Sequence, residues 1–262
     1  LRATRHSRCD LTMRFLRGEL WAAWLAERLA TVDDIRLWMN EHTDILKSND
    51  KSLVGLLDLA GELNYLKLYQ SKSVLQAAAF RLGRGRAVHS FDVSQALVEL
   101  GVPVPEPRAC LQAGSQLLLL KRGLKDTRDL NSLWLQGLDK SAQAQWMQRC
   151  GDVLGHLHRE GFAHGDAKWT NLLCQYDQLW LVDLDGVSRD DGAAMSRDLA
   201  RFTLNAEDRE LDRELYDVFL DSYLRQTGVT RAAVTDGLAV PLKKLRQRHL
   251  QQYGPRGRRL VD

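Results

Sequence analysis

His164-Gly-Asp-Ala-Lys-Trp-Thr-Asn171 runs straight into Leu172-Leu-Cys-Gln-Tyr176, a turn at Asp177-Gln178, and the strongly β-prone Leu179-Trp-Leu-Val-Asp183-Leu-Asp185. Two short apolar runs split by a tight turn read as a hairpin. A hairpin returns the chain to its starting point, so Asn171 before its first strand and Asp183 after its second are expected side by side. Asp166 and Lys168 stand in the loop that feeds the hairpin. A carboxylate and a cation in a loop, beside an amide and a second carboxylate at a strand end, is a set of groups suited to chemistry.

Working outward, the periodicity of the surrounding chain changes. Upstream, Ser141 to Glu160 is an amphipathic helix with Trp146, Met147, Cys150, Val153, Leu154 and Leu157 on one side. Residues 129–137 read as a shorter helix and residues 196–250 as further helices. The first half is strand-rich instead. Asp-Ile-Leu-Lys-Ser-Asn49, Ser52-Leu-Val-Gly-Leu-Leu-Asp-Leu59 and Asn64-Tyr-Leu-Lys-Leu-Tyr69 read as three strands, the last two joined at Ala60-Gly61-Glu62. A helix over about 86–100 stops at Gly101. Val102-Pro-Val-Pro-Glu-Pro107 cannot continue it, and two more strands follow at 107–112 and 115–122. Residues 13–40 read as helix, from Phe15, Leu16, Leu20, Trp24 and Leu25 at helical spacing, with a second start at Thr31-Val-Asp-Asp34. The expected fold is α+β and bilobal. A helical extension (1–43) precedes a β-rich N-lobe (44–124) and an α-helical C-lobe (125–262) with a basic tail, the connector lying near 121–128.

The quoted segment resembles the protein-kinase-like signature H-x-D-x-K-x-x-N, with Asp183-Leu-Asp185 where kinases carry D-F-G. Phosphoryl transfer needs one carboxylate to orient the acceptor hydroxyl and take its proton. It also needs an amide oxygen and a second carboxylate to hold Mg²⁺ against the nucleotide phosphates. Asp166 fits the first role, and Asn171 and Asp183 the others. Lys168 is placed to neutralise the transferring phosphoryl group. In the N-lobe, Lys67 shares one face of the third strand with Tyr65 and Tyr69. It suits the kinase lysine that binds the α- and β-phosphates.

Beyond the superfamily, the chain resembles the bacterial lipopolysaccharide kinase family (Kdo/WaaP-type, InaA-related) over residues 44–225. The resemblance is carried by the hairpin ending Tyr65-Leu-Lys-Leu-Tyr69, Glu99-Leu-Gly-Val-Pro-Val-Pro-Glu-Pro107, the loop at 161–173, the strand at 179–186 and Arg197-Asp-Leu-Ala-Arg201. It implies ATP- and Mg²⁺-dependent phosphorylation of a sugar, heptose or Kdo, of the lipopolysaccharide inner core, at the cytoplasmic face of the inner membrane. Two positions depart from the pattern. Ser90 stands where the family has the helix glutamate that pairs with the strand lysine, which leaves Asp92, Asp183 or no partner for Lys67. Ser48-Asn-Asp-Lys-Ser52 replaces a glycine-rich nucleotide loop. A RIO-like atypical protein kinase and a nucleotide-binding pseudokinase are the alternatives. The twelve residues between Asp185 and Asp198 disfavour a peptide acceptor, and retention of Asp166, Lys168, Asn171 and Asp183 disfavours the pseudokinase.

Composition and charge set the remaining limits. The chain has 262 residues, 44% of them hydrophobic, enough for a large core, so disorder is excluded. Cys9, Cys110, Cys150 and Cys174 form no C-x-x-C pair, which argues for a reducing cytoplasmic setting and buried apolar thiols. No apolar run reaches the length of a membrane span. Net charge is +3, yet residues 241–262 alone carry +6, from Lys243, Lys244, Arg246, Arg248, Arg256, Arg258 and Arg259 against one acid. This segment, with the Trp-bearing helix at 13–29, is a candidate contact for an anionic membrane face where a lipid-linked acceptor would lie. A solvated helix end explains the charge equally well, and few interleaved aromatics speak for nucleic acid. His156 and His158 read as packing or solvent-facing residues, Trp169 as core packing, and His164 as a buttress of the loop near Asp183.

Overall fold

The computed structural model describes residues 13–189, 192–254 and 258–261; Cys9 and Arg256 lie outside them. The chain divides into two units. One runs up to Gln95 and includes Pro105–Lys125; the other is Ala96–Val104 with the chain from Asp126 onward. Strands and helices alternate as β1 (Met13–Arg17), α1 (Glu19–Leu29), α2 (Ile35–His42), β2 (Asp44–Asn49), β3 (Ser52–Leu59), β4 (Glu62–Gln70), α3 (Val74–Arg81), α4 (Arg86–Glu99), β5 (Pro107–Ala113) and β6 (Gln116–Arg122). There follow β7 (Arg128–Asp129), α5 (Leu130–Leu135), α6 (Lys140–Arg159), β8 (Phe162–Ala163), β9 (Leu172–Gln175), β10 (Gln178–Leu181), β11 (Ser188–Arg189), α7 (Ala193–Asp208), α8 (Arg213–Thr227) and α9 (Arg231–Tyr253).

In the first unit a six-stranded antiparallel sheet has the order β1-β5-β6-β4-β3-β2. The two-residue period of a strand sorts its side chains onto two faces. Leu66 and Leu68 of β4, with Leu118 and Leu120 of β6, pack against Ala22, Leu25 and Leu29 of α1 and Ile35 and Met39 of α2. On the opposite face, Tyr69, Leu117 and Leu119 pack against Phe80 of α3 and Ala87, Val88 and Phe91 of α4. Lys67 of β4 lies on this second face by parity.

The stretch 13–40, expected as helix with a second start at residues 31–34, is strand, helix and helix, the last capped by Asp34 at the expected start. Met13–Arg17 pairs antiparallel with β5, Met13 opposite Ala113 and Phe15 opposite Leu111. The apolar spacing misleads because Met13 packs on the first cluster and Leu16 on the second, one on each face of a strand. Gly18, in the left-handed region at φ 67°, breaks the chain into α1. Trp21 and Trp24 are partly buried against the first cluster, and the Arg108 guanidinium lies 3.9 Å over the Trp21 ring. Trp21 and Trp24 thus spend part of their surface on the N-lobe core.

The second unit is helical around two small sheets, β10-β9-β7 and β11-β8. α6 and α8 meet through glycine: a Cβ on Gly151 would run into the Phe219 carbonyl, and one on Gly155 into Gln226. The basic C-terminal segment is partly used up here. Arg246 binds Glu207, whose carboxylate also accepts from Leu260 N at 2.9 Å, and Arg258 pairs with Asp212 at 2.5 Å. Leu260 is buried, so the tail docks where a solvated end was one expectation. Cys110, Cys150 and Cys174 are buried free thiols, and burial pushes Cys110 and Cys174 up to about 12. Among the described residues no helix is long and apolar enough to cross a membrane.

The Gly151 contact makes a direct prediction. Gly151→Ala must part α6 from α8, an overpacking cost of about 1–3 kcal/mol; a lower urea midpoint at unchanged slope is the expected result.

Candidate active site

The loop expected to carry chemistry begins at His164, which is fully buried. Its ring lies 3.0 Å from the Val182 carbonyl through Nε2, while Nδ1 accepts from Asp166 N at 3.3 Å. These partners assign the proton to Nε2. Burial holds the imidazole below its ordinary value, against a smaller opposing pull from Asp198. His164 is thus a neutral strut linking the loop to the residue before Asp183. Gly165, at φ 80°, comes so close to Gly186 that any Cβ would strike the Gly186 carbonyl. Only glycine lets the loop and the segment after Asp183 approach this way.

The hairpin places the metal candidates as its sequence demands. β9 and β10 pair Leu172 with Leu181, and Val182 N donates to the Asn171 carbonyl at 3.0 Å, so Asn171 and Asp183 flank the open end. The Asn171 amide nitrogen donates to the Asp166 carbonyl at 2.9 Å and lies 3.2 Å from Asp166 Oδ2. With its nitrogen engaged, the amide oxygen is the group left to meet a cation. Asp183 adopts the left-handed region at φ 60° and ψ 55°, a strained conformation for a non-glycine residue and one that clusters at functional sites. Among the described residues no three His, Cys, Asp or Glu side chains form a metal cage. One amide and one carboxylate instead suit a cation whose shell is completed by water and phosphate oxygens.

Asp166 is half-buried and carries two cations: Lys168 Nζ is 2.9 Å from Oδ2, and Arg201 is 2.9 Å from Oδ1. Arg201 belongs to a stripe on α7 that sequence reading did not assign to the site. Asp198, fully buried, accepts from His164 N at 2.5 Å, and Asn205 accepts from Trp169 N at 2.9 Å. Asp198, Arg201 and Asn205 are spaced by three and four, one face of a helix. That spacing of polar residues was the available signal. Trp169 is buried against Trp134 and Phe202, and so packs the core. His158 is buried, hydrogen-bonded to the Tyr223 hydroxyl at 2.9 Å and 3.5 Å from Asp198.

In the first unit, Lys67 is buried on β4, its ammonium 5.0 Å from the Tyr69 ring centre. Asp92, one candidate partner for it, is gripped by Arg17 through both carboxylate oxygens at 2.8 and 3.1 Å. Ser90 is buried too, and its hydroxyl meets a different lysine. Lys121 Nζ donates to Ser94 Oγ at 2.7 Å and Ser90 Oγ at 3.2 Å. Where a glutamate would tie the helix to β4, two serines tie α4 to β6. Lys121 stands opposite Tyr65, two pairs along from Lys67, so both lysines lie on the face that α4 covers. At the β2–β3 turn, Asn49 Oδ1 accepts from Lys51 N and Ser52 N at 2.9 and 3.0 Å. Those two N–H groups are spent within the turn and form no phosphate cradle.

A sheet lobe with a face-directed lysine and a helical lobe with this loop and hairpin define a protein-kinase-like phosphotransferase. The family model "Lipopolysaccharide kinase (Kdo/WaaP) family" matches residues 47–223, about two thirds of the chain, and the protein belongs to that family. It is accordingly a kinase of lipopolysaccharide core biosynthesis. Among solved structures, "WaaP in complex with acyl carrier protein" is similar at a TM-score of 0.59 and 16% identity, covering 89% of this chain and 99% of that one. At that identity the likeness establishes the fold. No curated protein sequence matches.

The neutral, buried His164 has a consequence for stability. The unfolded imidazole takes up a proton near pH 6.5 while the folded one resists it, so the unfolded chain binds more protons below that pH. The stability His164 contributes is complete above about pH 6.5 and is lost as pH falls below it. Urea titrations at about pH 7.5 and 5.5 should show a steeper loss for the wild type than for His164→Gln.

Proposed function

We propose that this kinase transfers the γ-phosphoryl group of ATP to a hydroxyl of a heptose or Kdo in the lipopolysaccharide inner core. The observation that carries the reading is Asp166 held between Lys168 and the Asn171 amide, beside the hairpin end that bears Asp183. The acceptor hydroxyl donates to the Asp166 carboxylate, which aligns its oxygen for in-line attack and takes its proton as the new O–Pγ bond forms and the bond from Pγ to the β,γ-bridging oxygen breaks, ADP leaving with that electron pair. Lys168, on a flexible stem, leaves Oδ2 to meet the charge on the transferring group. The Asn171 amide oxygen and Asp183 would hold Mg²⁺, which would neutralise charge on the phosphate oxygens. Lys67 takes the α- and β-phosphates. With the β2–β3 turn closed on itself, nucleotide grip falls more heavily on side chains than on backbone N–H groups.

The acceptor class is a lipid-linked sugar at the inner face of the membrane. Lys243, Lys244, Arg248 and Arg259 are exposed and form the reversible anionic-surface contact, each contributing about 1 kcal/mol near such a surface.

Asp166→Asn should bind ATP and Mg²⁺ normally and lose transfer to inner-core lipopolysaccharide by roughly 10²–10⁴-fold; near-full turnover would remove Asp166 from its role. Asp183→Ala should abolish Mg²⁺-dependent nucleotide binding, read by calorimetry. For the membrane contact, co-sedimentation with anionic but not neutral vesicles should weaken in moderate salt and in a variant with those four basic residues changed to Gln. Equal partitioning of that variant and the wild type would dismiss the surface.

A further inference from the structure

The two oxygens of Asp166 are served by different cations. Oδ2 faces Lys168 at 2.9 Å and the Asn171 amide at 3.2 Å, and Oδ1 faces Arg201 at 2.9 Å. In the reading above, Lys168 and Asn171 belong to the phosphoryl donor and its cation, so the Oδ2 side is the donor side. Arg201 then stands on the acceptor side. Its two partners in the α7 stripe hold backbone N–H groups of the loop with uncharged or fully buried groups: Asn205 at Trp169 N, and Asp198 at His164 N. Arg201 differs on both counts. It reaches the side chain that does chemistry, and it remains 42% exposed. Asn171 already fixes the Asp166 carboxylate, so a charged holder is not needed for that task.

A guanidinium carries five N–H donors in a planar fork, and one carboxylate oxygen accepts at most two of them. Among the described residues Asp166 is the ion-pair partner of Arg201, so most of the fork is open to a ligand. Such a fork matches carboxylate and phosphate geometry. Whatever hydroxyl sits on Asp166 must place its neighbouring substituents against Arg201.

We infer that Arg201 reads an anionic group on the acceptor, so that the sugar phosphorylated carries a carboxylate or a phosphate next to the reacting hydroxyl. This rests on the function proposed above. It makes Arg201 a specificity-determining residue, with the negative charge supplied by the sugar acid itself or by an earlier phosphorylation.

The test uses delipidated inner-core oligosaccharide in three forms: native, carboxyl-reduced and phosphatase-treated. Initial rates with ATP and Mg²⁺ are measured for the wild type, Arg201→Gln and Arg201→Lys. Removal of the anion that Arg201 reads should raise the wild-type acceptor KM about tenfold or more, the loss of a charge-assisted contact. The form that does so identifies the source. Arg201→Gln should show the raised KM on native acceptor and no further response to that treatment, and Arg201→Lys should recover part of the discrimination. A wild type indifferent to both treatments overturns the inference, as does an Arg201→Gln enzyme that responds as strongly as the wild type. A wild type that leaves native oligosaccharide and intact core lipopolysaccharide unphosphorylated overturns the proposed function itself.

Discussion

The hydrogen bond from His164 N to the buried carboxylate of Asp198, 2.5 Å long, holds the geometry of the active site together. A charge with no exposure is tolerable only when it is well bonded, and here the partner is the first residue of the catalytic loop. α7 is thereby docked against the loop, which brings Arg201 to Asp166 and Asn205 to Trp169. His158 Nε2 lies 3.5 Å from the same carboxylate oxygen, its ring held through Nδ1 by the Tyr223 hydroxyl. A hydrogen bond to a charged group contributes about 1.5–3 kcal/mol, which fastens the loop to the helix behind it.

From that anchor the constraints run outward through backbone as well as side chains. His164 ties the loop to Val182, and Val182 ties back to Asn171. The close approach of Gly165 to the Gly186 carbonyl leaves no room for a side chain at Gly165. The left-handed backbone at Asp183 is the strain that this closed circuit supports. The result is a set of candidate site groups positioned by packing, as preorganised electrostatic catalysis requires.

The N-lobe solves its own problem by an exchange of partners. With Ser90 buried against the sheet, α4 offers it a hydroxyl and no carboxylate there. The polar tie is made by Lys121 from the next strand, bonded to Ser90 and Ser94, with Ser94 also donating to the Ser90 carbonyl. In the second unit, charge is similarly reassigned. Arg246 and Arg258, counted in a basic tail, are clips that fasten the tail to Glu207 and Asp212.

Local pattern determined a great deal. The strands at 44–49, 52–59 and 62–70, the helix over 86–99 and the long helix before the loop follow from periodicity and from Gly101 and the prolines after it, because these signals act within a few residues. The adjacency of Asn171 and Asp183 was legible for the same reason, a tight turn having little choice of geometry. Residues 13–17 were not. Their apolar spacing satisfies helix and strand alike, and only the vacant edge of β5, about a hundred residues away, decides between them. The spacing of Asp198, Arg201 and Asn205 marks one helix face in the sequence, but what that face meets, and what Lys121 meets, came from tertiary contact. Whether a charged side chain meets a partner, a ligand or water depends on what the fold carries to it from distant sequence, and composition is blind to that.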